Sequence, residues 1–144
     1  MPMQFEHFEH GADVGVRGYG ASPGEAFEGA ASALFSLVAV DLRSVREERV
    51  ETLACAGADL PELLVAFLNE LIFLADARRL VFGRFEVAIE ERGPSDLRLT
   101  AKAFGERYDP GRHHSTVEPK GATFTALKVA SEAGRWLAQC VVDV

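Results

Sequence analysis

The sequence predicts an α+β domain, with two main helices packed on a largely antiparallel sheet in a single layered sandwich spanning residues 1–144. Three observations carry this expectation. Two apolar runs recur at helical spacing behind strong start signals, over 23–38 and 60–76. Two segments, 85–90 and 97–103, alternate apolar with polar residues around a turn. The length of 144 residues, with no repeat, low-complexity tract or linker, is that of one domain with one core.

Taken in order, the first expected strands are Gln4 to Glu9 and Val14 to Tyr19, separated by His10-Gly11-Ala12-Asp13, whose glycine tolerates φ > 0. Ser22-Pro23-Gly24-Glu25 then starts a helix: Ser22 caps it, Pro23 suits its first position and Glu25 completes a capping box. Ala26, Phe27, Ala30, Ala31, Leu34, Phe35 and Val38 form its apolar face. Arg49 to Ala56 favours a strand. Asp59-Leu60-Pro61-Glu62 repeats the start signal, and Leu63, Leu64, Phe67, Leu68, Leu71 and Ile72 follow at helical spacing to about Asp76. Phe85, Val87 and Ile89 alternate with polar or small neighbours, as do Leu97, Leu99, Ala101 and Ala103. With Gly93-Pro94-Ser95 between them, they read as an antiparallel hairpin. Gly105 to Pro119 breaks the pattern and reads as a long loop, either functional or disordered. Ala122 to Val129 and Trp136 to Val144 read as strands around Ser131-Glu132-Ala133-Gly134, with a helix over 122–136 as the alternative.

Composition excludes several functions. With 15 Lys plus Arg against 22 Asp plus Glu, the formal charge is −7, which opposes nonspecific nucleic-acid binding, and no direct sequence-specific nucleic-acid binding is expected either. Leu63 to Leu68 is the longest apolar run, far below the roughly 20 residues that span a bilayer. Met1 to His10 lacks an apolar export core, so a cytoplasmic location is expected. Cys55 and Cys140 form no CxxC and read as buried free thiols in a reducing compartment. No GxxxxGK[ST], HExxH, GxSxG or paired CxxC occurs.

Three places remain that hold chemistry. Asp13 lies between two strands beside a glycine, where it either closes its own turn or faces a ligand. Asp143 ends an apolar strand, and because the sequence stops at Val144, its side chain and the terminal carboxylate are neighbours. Two such charges about 4 Å apart repel by roughly 4 kcal/mol at an effective dielectric near 20. If Asp13 joined them, the cluster would call for a cation, and an oxygen-only set favours Ca²⁺, Mg²⁺ or Mn²⁺ over zinc. The third place is the loop with His113 and His114, followed by Lys120. Adjacent residues of an extended segment face opposite ways, so at most one of the two histidines serves any one site. Asn69, Glu70 and Asp76 are polar positions on the apolar second helix and read either as one functional edge or as a solvated face.

These residues, in this order, resemble the archease family. The resemblance runs through His10-Gly11-Ala12-Asp13-Val14-Gly15, Ala26-Phe27 to Leu34-Phe35, and the specific stretch Leu64 to Asp76. It continues in Gly105-Glu106-Arg107-Tyr108-Asp109 with His113 or His114, in Lys120-Gly121-Ala122-Thr123-Phe124, and in the closing Val141-Val142-Asp143-Val144. The chain departs from the family pattern at Gly11, where Thr is usual, at Gly121, where Ala is common, and at Phe124-Thr125, where Tyr-His is usual. The resemblance implies a non-catalytic protein cofactor of the RtcB-type tRNA-splicing RNA ligase, promoting ligase guanylylation and multiple turnover. It implies a divalent-metal site at Asp13, Asp143 and Val144, the last through main-chain oxygen. Ca²⁺ is the expected ion, with Mg²⁺ or Mn²⁺ as alternatives. Lys120, Glu70 and His113 are the expected partner contacts. The alternatives are a small metal-dependent hydrolase using a loop histidine as base, and a metal-independent chaperone or interaction module.

Overall fold

The computed structural model describes residues 4–115 and 117–144. Residues 1–3, the start of the segment read for an export signal, lie outside them, as does Thr116 in the expected loop. The order is β1 (Phe5–His10), β2 (Asp13–Gly20), α1 (Pro23–Phe35), a 3₁₀ turn (Leu42–Ser44), β3 (Arg49–Gly57), α2 (Leu60–Arg78), β4 (Leu80–Gly93), β5 (Asp96–Arg107), a helical turn α3 (Pro110–His113), β6 (Gly121–Ala122), β7 (Lys128–Glu132) and β8 (Arg135–Asp143). The α+β class holds. The strands, however, divide into two antiparallel sheets. One has the order β1-β2-β8-β6 with β7 also on β8, and the other runs β3-β5-β4.

Both helix starts work as their sequences dictate. The Ser22 hydroxyl accepts from the Glu25 N–H at 3.2 Å, and the Asp59 carboxylate accepts from the Glu62 N–H at 2.9 Å, with proline in each first turn. α1 stops at Phe35, three residues early, because Leu37 and Val38 turn back to Leu34 and Phe35 in tighter i→i+3 bonds. α2 runs on to Arg78 and ends on Arg79 in the left-handed conformation.

The helices supply the core between the sheets. α1 packs on β2 and β8 of one sheet and on β4 of the other, while α2 lies against β3 and β5 and reaches β6. A Cβ at Gly18 of β2 would stand 2.1 Å from the Ala30 backbone nitrogen, so this close strand–helix approach requires glycine. Phe27 stacks near Phe67, their centroids 6.1 Å apart, and Phe35, Phe82 and Phe85 form a second aromatic group.

Two expectations about the second half need correction. The pattern-breaking stretch 105–119 is not one long loop: β5 continues to Arg107, and Asp109 caps the turn α3 through its bond from the Gly111 N–H at 2.9 Å. The strand expected over 122–129 splits into β6 and β7, because Ala126 takes φ 54° in the turn between them. The helical alternative over 122–136 does not occur.

Candidate metal site

The site is built at one end of the larger sheet. A two-residue turn, Gly11-Ala12, joins β1 to β2 and pairs His10 with Asp13. Gly11 has φ 61°, the left-handed first position that a type II′ hairpin turn requires. On its other side β2 pairs with β8 in a register whose last pair sets Val14 against Val142, so Asp13 and Asp143 follow it at the ends of neighbouring strands. The register therefore brings Asp13 and Asp143 to the same end of the sheet. The Val144 N–H donates to Asp13 Oδ1 at 3.3 Å, which adds the last residue to the same corner.

β6 closes the row. Gly121 pairs with Asp143, and the Lys120 N–H donates to the Asp143 carbonyl at 2.8 Å. Asn69 of α2 holds this two-residue strand in place: its Oδ1 accepts from the Ala122 N–H at 2.8 Å and its Nδ2 donates to the Ala122 carbonyl at 3.2 Å. A β-strand of two residues has little hold of its own, so the side-chain clamp stands in for a longer ladder. Sequence reading grouped Asn69 with other polar positions and missed this role. A buried-face Asn at helical spacing with apolar neighbours was the available signal.

Asp143 and Lys120 are exposed, and Asp13 is half-buried. The Lys120 ammonium has no carboxylate partner among the described residues, although its backbone is fixed beside Asp143. Among the described residues the hydrogen bond these carboxylates accept is the 3.3 Å Val144 N–H on Asp13, and neither is in an ion pair, so the sheet end carries negative charge. The donor set is carboxylate and main-chain oxygen throughout, which in kind fits a hard divalent cation. Among the described residues, no group of three or more His, Cys, Asp or Glu side chains stands ready-arrayed around a metal.

The other expected contacts lie elsewhere. Glu70 is half-buried on α2 and faces β3, where its charge adds to burial in pushing the Cys55 thiol up to about 11. Burial likewise pushes the Cys140 thiol up to about 12. Both are free and poorly reactive. His113 requires correction, because it offers no surface to a partner. It is 1% exposed; its Nδ1 accepts from the Asp109 N–H at 2.8 Å, so Nε2 carries the proton that is donated to Glu106 Oε2 at 3.0 Å. This commitment also removes His113 as the base of a hydrolase. Glu106 is itself buried; it accepts from the Arg46 N–H at 2.9 Å and pairs with the Arg112 guanidinium. Burial pushes the Glu106 carboxyl up, but the Arg112, Arg46 and His113 hydrogen bonds outweigh it and hold the carboxyl at about 2.

Fold and site together define a small α+β domain with two antiparallel sheets and a carboxylate-lined sheet end. The chain belongs to the archease family: the model of the Archease protein family matches residues 5–144. It is 42% identical over 142 residues to Protein archease of Pyrococcus furiosus, covering 98% of this chain and 99% of that one. It is 44% identical over 144 residues to Protein archease of Pyrococcus abyssi, with the same coverage. The solution structure of Methanobacterium thermoautotrophicum protein 1598 superposes with a TM-score of 0.86 at 32% identity, over 99% of this chain and 100% of that one. The crystal structure of a Thermotoga maritima archease, described as a possible chaperone, shares the fold at a TM-score of 0.55 and 18% identity, over 96% of each chain. No helix among the described residues is long and apolar enough to cross a membrane.

Proposed function

We propose that this chain is a non-catalytic cofactor of an RtcB-type tRNA-splicing RNA ligase, acting in the cytoplasm to promote ligase guanylylation and repeated turnover. Asp13, Asp143 and a main-chain oxygen of Val144 hold its divalent cation, with Ca²⁺ as the first candidate and Mg²⁺ or Mn²⁺ as alternatives. The observation that supports this reading is the register of β2 and β8, which carries Asp13 and Asp143 to the same accessible sheet end in an archease-family chain. A divalent cation bound there neutralises the two carboxylates and leaves the exposed Lys120 ammonium as the positive group at the tip of an otherwise acidic protein. Asp13 and Asp143 bind and orient it, Asn69 and Gly121 hold the flanking strand, and Lys120 stands beside it as a contact for the partner. The protein's net charge of −7 keeps it from competing for RNA.

The test is multiple-turnover ligation by purified ligase with RNA and GTP. The wild-type chain raises the number of turnovers, and Asp13→Ala abolishes the rise while the protein stays folded. Removing Val144 impairs it in the same way. Full stimulation by Asp13→Ala at saturating ligase and RNA refutes the cation reading. A second reading, a metal-independent interaction module, is favoured by Phe73 and Phe124, which are 62% and 67% exposed. It gains if chelator leaves stimulation intact and Phe73→Ser removes it.

A further inference from the structure

We infer that the groove between the C-terminal ends of α1 and α2 is a docking site for an extended segment of the protein partner, one that carries an acidic residue among large apolar side chains. This deepens the cofactor reading above and rests on it.

The groove has a volume of about 650 Å³, within the range of ligand-binding clefts. Its floor is apolar. Leu34 and Phe35 close α1, Ile72 and Ala75 come from the last turns of α2, and Leu80 opens β4. The opposite wall is Val117-Glu118-Pro119, which leads straight into Lys120, the contact proposed for the partner. Because the Lys120 N–H is bonded to the Asp143 carbonyl, the groove is continuous along the chain with the carboxylate end of the sheet. Three stretches through which the chain resembles its family also converge here, in Leu34-Phe35, in Asp76 and in Arg107-Tyr108. Neither the sheet end nor the Glu106 cluster uses Asp76 or Arg107.

The charges at the mouth define the occupant. Arg79 and Arg107 start side by side, because the Tyr108 N–H donates to the Arg79 carbonyl at 2.8 Å and Leu80 pairs with Arg107. Arg79 takes φ 55° where α2 ends, a position that glycine usually fills, so an arginine stands there against the backbone preference. Both arginines line the groove and are exposed. Among the described residues neither guanidinium has an ion-pair or hydrogen-bond partner. The Tyr108 hydroxyl accepts from the Ser115 N–H at 3.0 Å and keeps its own proton to donate. Two guanidiniums and a hydroxyl beside an apolar floor suit a carboxylate carried on an apolar segment. Asp76 and Glu118 line the same groove, also without ion-pair partners among the described residues. They favour a peptide over a fatty acid: a hydrocarbon chain offers these carboxylates nothing, whereas a peptide brings main-chain N–H donors.

The experiment measures multiple-turnover ligation, with purified ligase, RNA and GTP, as the concentration of the full-length chain is raised. The double variant Arg79→Glu/Arg107→Glu, checked for an unchanged circular dichroism spectrum, is compared with Arg92→Glu/Arg98→Glu, which makes the same charge change on the β4–β5 hairpin. The groove variant needs about tenfold or more chain for half-maximal stimulation, as expected when charged anchors of an interface are lost, and reaches the wild-type plateau. The hairpin variant stays within about twofold of wild type, since exposed charges outside an interface contribute little. Should the double reversal unfold, Arg79→Gln and Arg107→Gln shift the midpoint in the same direction by less. A photoreactive benzoylphenylalanine in place of Glu118 then captures the occupant, and the captured ligase peptide carries Asp or Glu among large apolar residues. Unchanged midpoints in the groove variants, or equal shifts in both double variants, overturn the inference and leave the cofactor reading standing. Capture of a basic or wholly polar segment, of RNA or of a second copy of this chain overturns it too. If the wild-type chain raises turnover at no concentration, the cofactor reading itself fails, and this inference goes with it.

Discussion

The protein holds two clusters of acid beside histidine, and they resolve their charge in opposite ways. Around Glu106 every partner is internal: Arg112, His113 and the Arg46 N–H surround one buried carboxylate, and Tyr108 stacks on His113 with ring centroids 5.5 Å apart. At the sheet end, Asp13 accepts one long N–H bond from Val144, Asp143 is exposed on the neighbouring strand, and among the described residues His10 and Lys120 have no ion-pair partner. A buried charge must find its partners within the fold or it shifts to neutral. A charge at the rim has water and can wait for something else. The difference separates a cluster that shapes the chain from one that is free to bind.

The strongest way to break this comparison is to remove the buried acid. Glu106→Ala leaves the His113 Nε2–H and the Arg46 N–H without an acceptor and Arg112 without its partner. Breaking a buried pair from one side costs about 3–5 kcal/mol. Denaturant unfolding reads the loss directly. Glu106→Gln retains an oxygen for the N–H donors and should cost clearly less. A loss below about 1 kcal/mol for the alanine variant would place this cluster with the rim, and the contrast would collapse.

Acid supplies a milder version of the same test. Glu106 is held at about 2, below its ordinary value of 4.5. A depressed carboxyl stabilises the fold above the unfolded value, and that contribution fades as pH falls from about 4.5 towards 2. Wild-type stability measured against Glu106→Gln should therefore diverge least at the acid end and most above pH 5. A constant difference across that window counts against the assignment.

Much of this contrast was readable in sequence, though unevenly. Ser22-Pro23 and Asp59-Leu60-Pro61 announce helix starts because capping is local chemistry, and β4 and β5 announce themselves by period. Asp13 and Asp143 were found as isolated acids next to chain irregularities and through the family resemblance. That they reach the same sheet end depends on the register of strands about 130 residues apart, which no local pattern encodes. The division into two sheets is of the same kind. His113 was misread because a residue in a polar, proline-broken stretch looks solvated, while its burial depends on Glu106 seven residues back in β5. His10 closes the same hairpin as Asp13, as a two-residue turn between expected strands already implies for its flanking residues.

The smallest expected change is also the one that sharpens the comparison most. Asp13→Asn removes one of two like charges and keeps a carbonyl oxygen for the Val144 N–H. At about 5 Å in a largely solvated setting, the relieved repulsion is on the order of 1 kcal/mol. The weakened bond at 3.3 Å returns a similar or smaller amount. The two nearly cancel, so the metal-free variant should unfold within about 1 kcal/mol of wild type. Ligand linkage then separates the proteins: an ion at 100 times its Kd stabilises the binding form by about 2.7 kcal/mol. Thermal melts with and without excess Ca²⁺ should show a rise for wild type and for Glu106→Gln, and none for Asp13→Asn. If Asp13→Asn melts far below wild type without metal, Asp13 belongs with Glu106 as a structural acid, and the sheet end is not held open for an ion.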